Sequence, residues 1–289
     1  MKVTGSYPTI KLNSGIEMPV LGFGVYQIRD LDECEQSVIE ALNAGYRLLD
    51  TAAVYGNEEA VGRAIKKSGV PRDEIFVTSK LWVQDVNYKA AKRAYRASLE
   101  KLHLDYLDLY LIHQPYNDVY GAWRALEEIY ETGEVKAIGV SNFTSARMID
   151  LILNNKVTPA VNQIEIHPFH QQTEAIEVMK QYKVQPEGWA PFAEGKNNLF
   201  TDEKLMKIAK KYNKTVGQIV LCWNLQRGVV AIPKSVHKER IIENFDVFDF
   251  KLSKEDMQII SKMDDKGPLF VNHEDPDFVK GTIERKIHD

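Results

Sequence analysis

Along the chain, short continuous apolar runs alternate with longer stretches whose apolar residues recur about every three or four positions. The runs are Val20–Gly24, Tyr46–Asp50, Ile75–Lys80, Leu107–His113, Ala137–Ser141, Ala160–Glu165, Val184–Trp189 and Val229–Ile232. Hydrophobicity that is continuous rather than alternating marks strands covered on both faces, as in a parallel sheet. The intervening stretches predict helices. Asp30 can cap one through Leu42 that stops near Gly45, and another runs from Tyr120 to a stop at Gly133. Eight buried strands alternating with helices predict an α/β fold, the (β/α)8 TIM barrel, because eight strands close the sheet on itself.

The same pattern predicts what is added to that plan. IKLNSGIEM has an Asn-Ser-Gly turn between two short strand-like pieces, which fits an N-terminal β-hairpin closing the bottom of the barrel. Two helical stretches, Asp202–Lys211 and Val216–Gln226, precede the last strand where one is needed. Val184–Trp189 contains Pro186, which has no amide proton to donate, and Gly188, so a short or bulged strand is expected there. The tail Asp265–Asp289 is polar, carries Pro268, Asp275 and Pro276, and is expected to wrap as a loop. No linker-like stretch divides residues 1–289, so one barrel domain is expected.

Composition narrows the partners. Hydrophobic residues make up 44% and charged residues 27%, ordinary for a globular protein, and the net charge of −4 gives no reason to expect nucleic acid or an anionic membrane. No apolar run approaches a membrane span, and the first residues lack the apolar core of a signal peptide. Cys34 and Cys222 lie far apart without metal-type or redox-motif neighbours, so buried free thiols in a reducing, cytoplasmic setting are expected. With no large apolar stripe asking for a partner, a monomer is the expectation.

Reactive side chains gather at the ends of three successive strand runs: Asp50 and Tyr55 after YRLLD, Lys80 ending IFVTSK, and His113 ending LDLYLIH. The C-terminal ends of barrel strands surround one shared site. A tyrosine hydroxyl is a poor acid at neutral pH, but a neighbouring ammonium stabilises its phenolate, so Lys80 is expected to lower the pKa of Tyr55. Asp50 can hold Lys80 charged, and His113 can donate a hydrogen bond to the oxygen that Tyr55 protonates. The set suits protonation of a carbonyl oxygen while a hydride reaches the carbon. No G-x-G-x-x-G follows a strand, which disfavours a Rossmann cofactor site. Instead Lys234, Ser235 and Arg240 cluster where the last strand meets a helix start, a group suited to a phosphate monoester. His167 and His170 have no third ligand at suitable spacing, so no metal site is expected.

DTAAVYGNE (Asp50–Glu59), TSKLW (Thr78–Trp82), LYLIHQP (Leu109–Pro115), GVSNF (Gly139–Phe143), NQIEIHP (Asn162–Pro168) and IPKSVHKERIIEN (Ile232–Asn244) together resemble the aldo-keto reductase family, from about Leu12 to Met263. That resemblance implies a (β/α)8 barrel that reduces aldehydes and ketones with NADPH and needs no metal. It implies Tyr55 as the general acid, tuned by Lys80 and Asp50, with His113 orienting the carbonyl. It assigns the adenosine 2′-phosphate to Lys234, Ser235 and Arg240, with Val236 beside them, and the adenine to Glu243 and Asn244. Ser141, Asn142 and Gln163 match positions that bond the nicotinamide carboxamide, and Trp189 the aromatic stacked on its ring. Phe192 and Glu194 fall in the loop over the pyrophosphate, with Gly24, Val25 and Tyr26 on the opposite wall.

Tyr26, Trp82, His113 and Gln114 would line the substrate pocket. Gln114 stands where many family members have tryptophan, which leaves substrate preference open. WAPFAEG (Trp189–Gly195) is closer to the microbial, 2,5-diketo-gluconate reductase-like members. Small aldehydes, α-dicarbonyls or keto-sugars are the expected substrates. The rival reading is a non-catalytic NADPH-binding regulatory subunit on the same barrel, against which the complete set of four residues argues.

Overall fold

The computed structural model describes residues 7–265 and 267–289. Eight parallel strands form its centre: β3 (Phe23–Gly24), β4 (Leu48–Asp50), β5 (Phe76–Leu81), β6 (Leu109–Ile112), β7 (Ile138–Ser141), β8 (Val161–Glu165), β9 (Gln185–Trp189) and β10 (Val230–Ala231). Each pairs with its neighbour in chain order. The ring is joined by a parallel bridge between Leu21 and Ala231, where the Gly22 amide donates to the Ala231 carbonyl at 2.8 Å and Gly24 to Pro233 at 3.0 Å. Below it, β1 (Thr9–Lys11) and β2 (Glu17–Pro19) make the expected antiparallel hairpin.

Helices α1 (Leu31–Ala44), α2 (Glu58–Ser68), α3 (Tyr88–Leu102), α4 (Val119–Glu131), α5 (Ser145–Leu153) and α6 (Thr173–Gln181) connect the first seven barrel strands. The pair α7 (Glu203–Tyr212) and α8 (Val216–Gln226) precedes β10, and α9 (Lys238–Phe245), α10 (Lys254–Ser261) and α11 (Pro276–Glu284) follow it. Local chemistry fixes the ends of α1 as expected. The Asp30 carboxylate accepts the amides of Asp32 and Glu33, and Gly45 stops the helix at φ 115°, a left-handed conformation that glycine adopts freely.

Two apolar regions hold the fold. One lies between the strands and the surrounding helices, with Val38, Leu49, Val77, Tyr110, Trp123 and Val140 among its members. The other fills the lower barrel interior, where Leu48, Phe76, Leu109, Leu111, Val161 and Val230 meet Leu12 and Met18 of the hairpin. This floor is tight. A Cβ on Gly139 would lie 2.7 Å from both Leu111 Cδ2 and the Val161 carbonyl oxygen.

Two expectations are corrected. β9 is a regular five-residue strand in unbroken register with β8, from Val161 opposite Gln185 to Glu165 opposite Trp189. The Gln185 amide donates to Ala160, so alternation turns the Pro186 nitrogen away from β8, and β10 pairs only from Glu187 onward. Pro186 therefore forfeits no ladder bond. The tail is likewise not wholly loop, since Pro276–Glu284 is helical. Asp275 caps it by accepting from Asp277 and Phe278, and Pro276 sits in the first turn, where its missing proton is not needed.

Candidate active site

The C-terminal mouth of the barrel gathers the reactive residues. β4 ends in Asp50, and a single turn at Ala53–Tyr55 closed by left-handed Gly56 carries Tyr55 above it. Buried Asn57 holds that turn in place: its side chain accepts from Thr51 Oγ1 at 2.9 Å and donates to the Val25 carbonyl at 3.0 Å. β5 and β4 are adjacent, and Lys80 on β5 has no exposed surface. Lys80 Nζ donates to Asp50 Oδ1 at 2.6 Å and to the Thr51 carbonyl at 2.9 Å, and lies 3.4 Å from the Tyr55 hydroxyl. His113, just past β6, sets its ring edge-to-face with Tyr55 at 5.6 Å and with Trp82 at 5.5 Å. Tyr26 stacks tilted on Tyr55 at 4.9 Å.

Burial opposes the Lys80 ammonium, yet Asp50, Tyr55 and Glu187 together hold it above its ordinary value. Burial, then the Lys80 charge and the nearby His273 and Arg285, push His113 well below the ordinary histidine value. At neutral pH its ring is uncharged. The expected pull of Lys80 on Tyr55 is present but is not the larger effect. Lys80 does pull it down, but burial outweighs that pull and pushes the hydroxyl up to about 12. The desolvation was invisible in the sequence, because it depends on residues brought over Tyr55 by folding. A phenol so placed keeps its proton throughout the neutral range, the state a proton donor needs.

Ser141, Asn142, Gln163 and Trp189 are brought together as one network. Ser141 Oγ donates to the Gln163 carbonyl at 2.8 Å, and Asn142 Nδ2 donates to the His113 carbonyl at 3.0 Å and to Ser141 Oγ at 3.1 Å. Trp189 Nε1 donates to Asn142 Oδ1 at 2.9 Å. Gln163 spends its amide donors on Asp50 Oδ2 at 2.8 Å and Glu187 Oε2 at 3.0 Å, which leaves its oxygen as the open acceptor. Gln114 is buried, and among the described residues its Oε1 has no partner.

At the start of α9, Lys234 and Arg240 are exposed, Ser235 is buried and Val236 partly buried. Neither cation is ion-paired among the described residues, and the N-cap residue His237 gives no side-chain cap. Two cations, a hydroxyl and open helix amides suit a phosphate monoester. Buried Asn244 and half-buried Phe192 both come within about 4 Å of where a Cβ on Gly217 would stand, at 3.5 and 3.6 Å. Glu243 accepts from Thr215 Oγ1 at 2.9 Å. The loop Ala193–Thr201 reaches the opposite wall, where Gln27 Nε2, next to Tyr26, donates to Glu194 Oε1 at 3.0 Å.

Several of these residues escaped the sequence reading. Glu187 hides in an apolar run, and only alternation along β9 could have turned it inward. Gln27 carries no local signal. The tail also closes on the mouth: Trp82 Nε1 donates to the Arg285 carbonyl at 2.8 Å, Leu269 donates to Glu165 Oε1 at 2.7 Å, and Phe270 meets Trp189 edge-on at 5.7 Å. Among the described residues no helix is long and apolar enough to cross a membrane.

Comparison with known proteins accords with this geometry. The sequence model of the Aldo/keto reductase family matches residues 20–265. The chain is 49% identical to a glyoxal reductase of Bacillus subtilis over 256 residues, covering 88% of this chain and 92% of that one. It is 47% identical to a methylglyoxal reductase of Yersinia pestis over 260 residues, covering 89% and 93%. The structure of a Bombyx mori aldo-keto reductase in complex with NADP superposes with a TM-score of 0.88 at 34% identity, covering 93% of this chain and 96% of that one. The chain belongs to the aldo/keto reductase family and is an oxidoreductase of that NADPH-using, carbonyl-reducing group.

Proposed function

We propose that this protein, as a single barrel domain acting as a monomer, reduces small aldehydes and α-dicarbonyls to alcohols with NADPH, keto-sugars being the next candidates. The observation that carries the reading is the buried Lys80 ammonium, held by Asp50 within reach of the Tyr55 hydroxyl beside an uncharged His113. NADPH, when bound, would supply the hydride to the carbonyl carbon.

Tyr55 gives its proton to the carbonyl oxygen, and the adjacent ammonium stabilises the phenolate left behind. His113, uncharged, can donate to the same oxygen without competing for the proton. Tyr26, Trp82 and Gln114 complete the substrate walls. Lys234, Ser235, Val236 and Arg240 would hold the 2′-phosphate, with Glu243 and Asn244 at the adenine. Gln163 offers an acceptor to the carboxamide beside Ser141 and Asn142, and Trp189 offers its face to the ring. Phe192 and Glu194 would cover the pyrophosphate against Gly24, Val25 and Tyr26. Relatives that carry the names glyoxal reductase and methylglyoxal reductase favour α-dicarbonyls among the substrates.

The test is NADPH consumption by wild type and Tyr55→Phe against aldehydes, α-dicarbonyls and keto-sugars, with NADH in parallel. Turnover by the wild type, faster with NADPH, is expected, with loss of most of it in Tyr55→Phe while NADPH binding persists. A variant that keeps near-native turnover would remove Tyr55 from its role. NADPH binding without turnover of any carbonyl would favour a non-catalytic subunit instead.

A further inference from the structure

Below the four reactive residues lies a second buried carboxyl that the reaction outlined above does not use. Glu187, on β9, has no exposed surface. It pairs in register with Gln163 on β8 and with Val230 on β10. Its Oε2 accepts from Gln163 Nε2 at 3.0 Å, and the same nitrogen donates to Asp50 Oδ2 at 2.8 Å. The other oxygen of Asp50 accepts from Lys80 at 2.6 Å, and Lys80 lies 3.4 Å from the Tyr55 hydroxyl. An unbroken polar line thus runs from Glu187 through Gln163, Asp50 and Lys80 to Tyr55. Oε1 of Glu187 has no partner among the described residues.

Charge balance decides what Glu187 can be. Asp50 and Lys80 already neutralise each other, and β10 contributes only apolar Val230 and Ala231 opposite β9. A second carboxylate there would be a buried charge without a cation of its own, which is costly. Burial, reinforced by the Asp50 charge and opposed by the Gln163 hydrogen bond and Lys80, pushes Glu187 from 4.5 up to about 8. With Gln163 donating to Oε2, the proton belongs on Oε1.

We propose that Glu187 is a positioning residue of the reductase, which acts on Tyr55 through Gln163, Asp50 and Lys80 and sets the acid strength of the Tyr55 hydroxyl by gaining or losing its own proton. The proposal rests on the reductase reading above. Protonated, Glu187 leaves the Lys80 charge free to support the Tyr55 phenolate. Ionised, it adds a negative charge that binds the ammonium more tightly and disfavours that phenolate, so reduction slows as pH rises through its titration. The carboxyl also binds more protons folded than unfolded between its two values, so stability falls as pH rises from about 4.5 to about 8.

The experiment compares wild type, Glu187→Gln and Glu187→Asp from about pH 6 to about pH 10. Wild-type kcat is expected to fall about fivefold across the alkaline limb, Glu187→Gln less than about twofold, and Glu187→Asp to keep a limb, with KM for the carbonyl unchanged. Thermal midpoints measured without cofactor from about pH 4.5 to about pH 8 should lose this decline with rising pH in Glu187→Gln. Superposable kcat profiles of wild type and Glu187→Gln would overturn the proposal. Should Glu187→Gln fail to fold, infrared titration of the wild type decides. A protonated-carboxyl band lost in step with the alkaline limb supports the proposal, and its absence at neutral pH overturns it. A wild type that turns over no carbonyl removes the reductase reading and this proposal with it, and is told apart without any variant.

Discussion

Leu48 and Asp50 lie two residues apart on β4, and the same step separates Phe76 from Thr78 and Lys80 on β5 and Val161 from Gln163 on β8. Side chains two apart on a strand face the same way, so these are successive layers of one barrel interior. The lower layer is apolar and sealed by the hairpin. The upper one is a line of buried polar groups in which every charge depends on a partner. The floor stabilises by removing area from water. The top does not: buried ion pairs seldom repay their desolvation, and what they confer is a defined geometry. The two layers therefore respond to substitution in opposite ways.

The largest effect is expected at the top. Lys80→Met takes away the cation that both Asp50 and Tyr55 face, so turnover should fall about a thousandfold or more. Asp50 would be left uncompensated, and stability to urea should drop by about 3–5 kcal/mol. Adding Asp50→Asn should recover much of that stability without recovering turnover. If the single variant were as stable as the wild type, the upper layer would not be held by this pairing. Leu48→Ala should show the converse, a loss of about 2–5 kcal/mol with the turnover of the folded protein near native. A large fall in kcat at full folding would mean that the floor positions the site rather than merely supporting it.

The floor was far more legible than the top, for a physical reason. Apolar runs betray strands whatever their partners, so all eight barrel strands, the hairpin and the cap at Asp30 follow from short stretches of chain. Asp50, Tyr55, Lys80 and His113 were legible because each stands at or just beyond a strand end. What depends on contacts across the barrel was not. Glu187 becomes an inward acid only in register with Gln163. Tyr55 becomes a weaker acid only when folding desolvates it, and Gln27 reaches Glu194 only when two walls meet. The tail helix had a local signal in Asp275 and Pro276, which the polar composition around it obscured.

Thr78 lies on the boundary between the layers and offers the finest discrimination. It sits between Phe76 and Lys80 on the inward face of β5, fully buried, and its Oγ1 has no partner among the described residues. If Thr78 belongs to the apolar floor, its hydroxyl is an unpaired polar group, and replacing it by a methyl removes a desolvation penalty of about 1 kcal/mol. Thr78→Val should then raise the unfolding free energy measured in urea by that amount and leave kcat and its pH profile unchanged. If instead the hydroxyl is part of the polar line, through a bound water for instance, the variant should lose stability and shift the alkaline limb along with it. A rise in stability therefore draws the boundary above Thr78, and a fall draws it below, so that the polar line would begin one step deeper in the barrel.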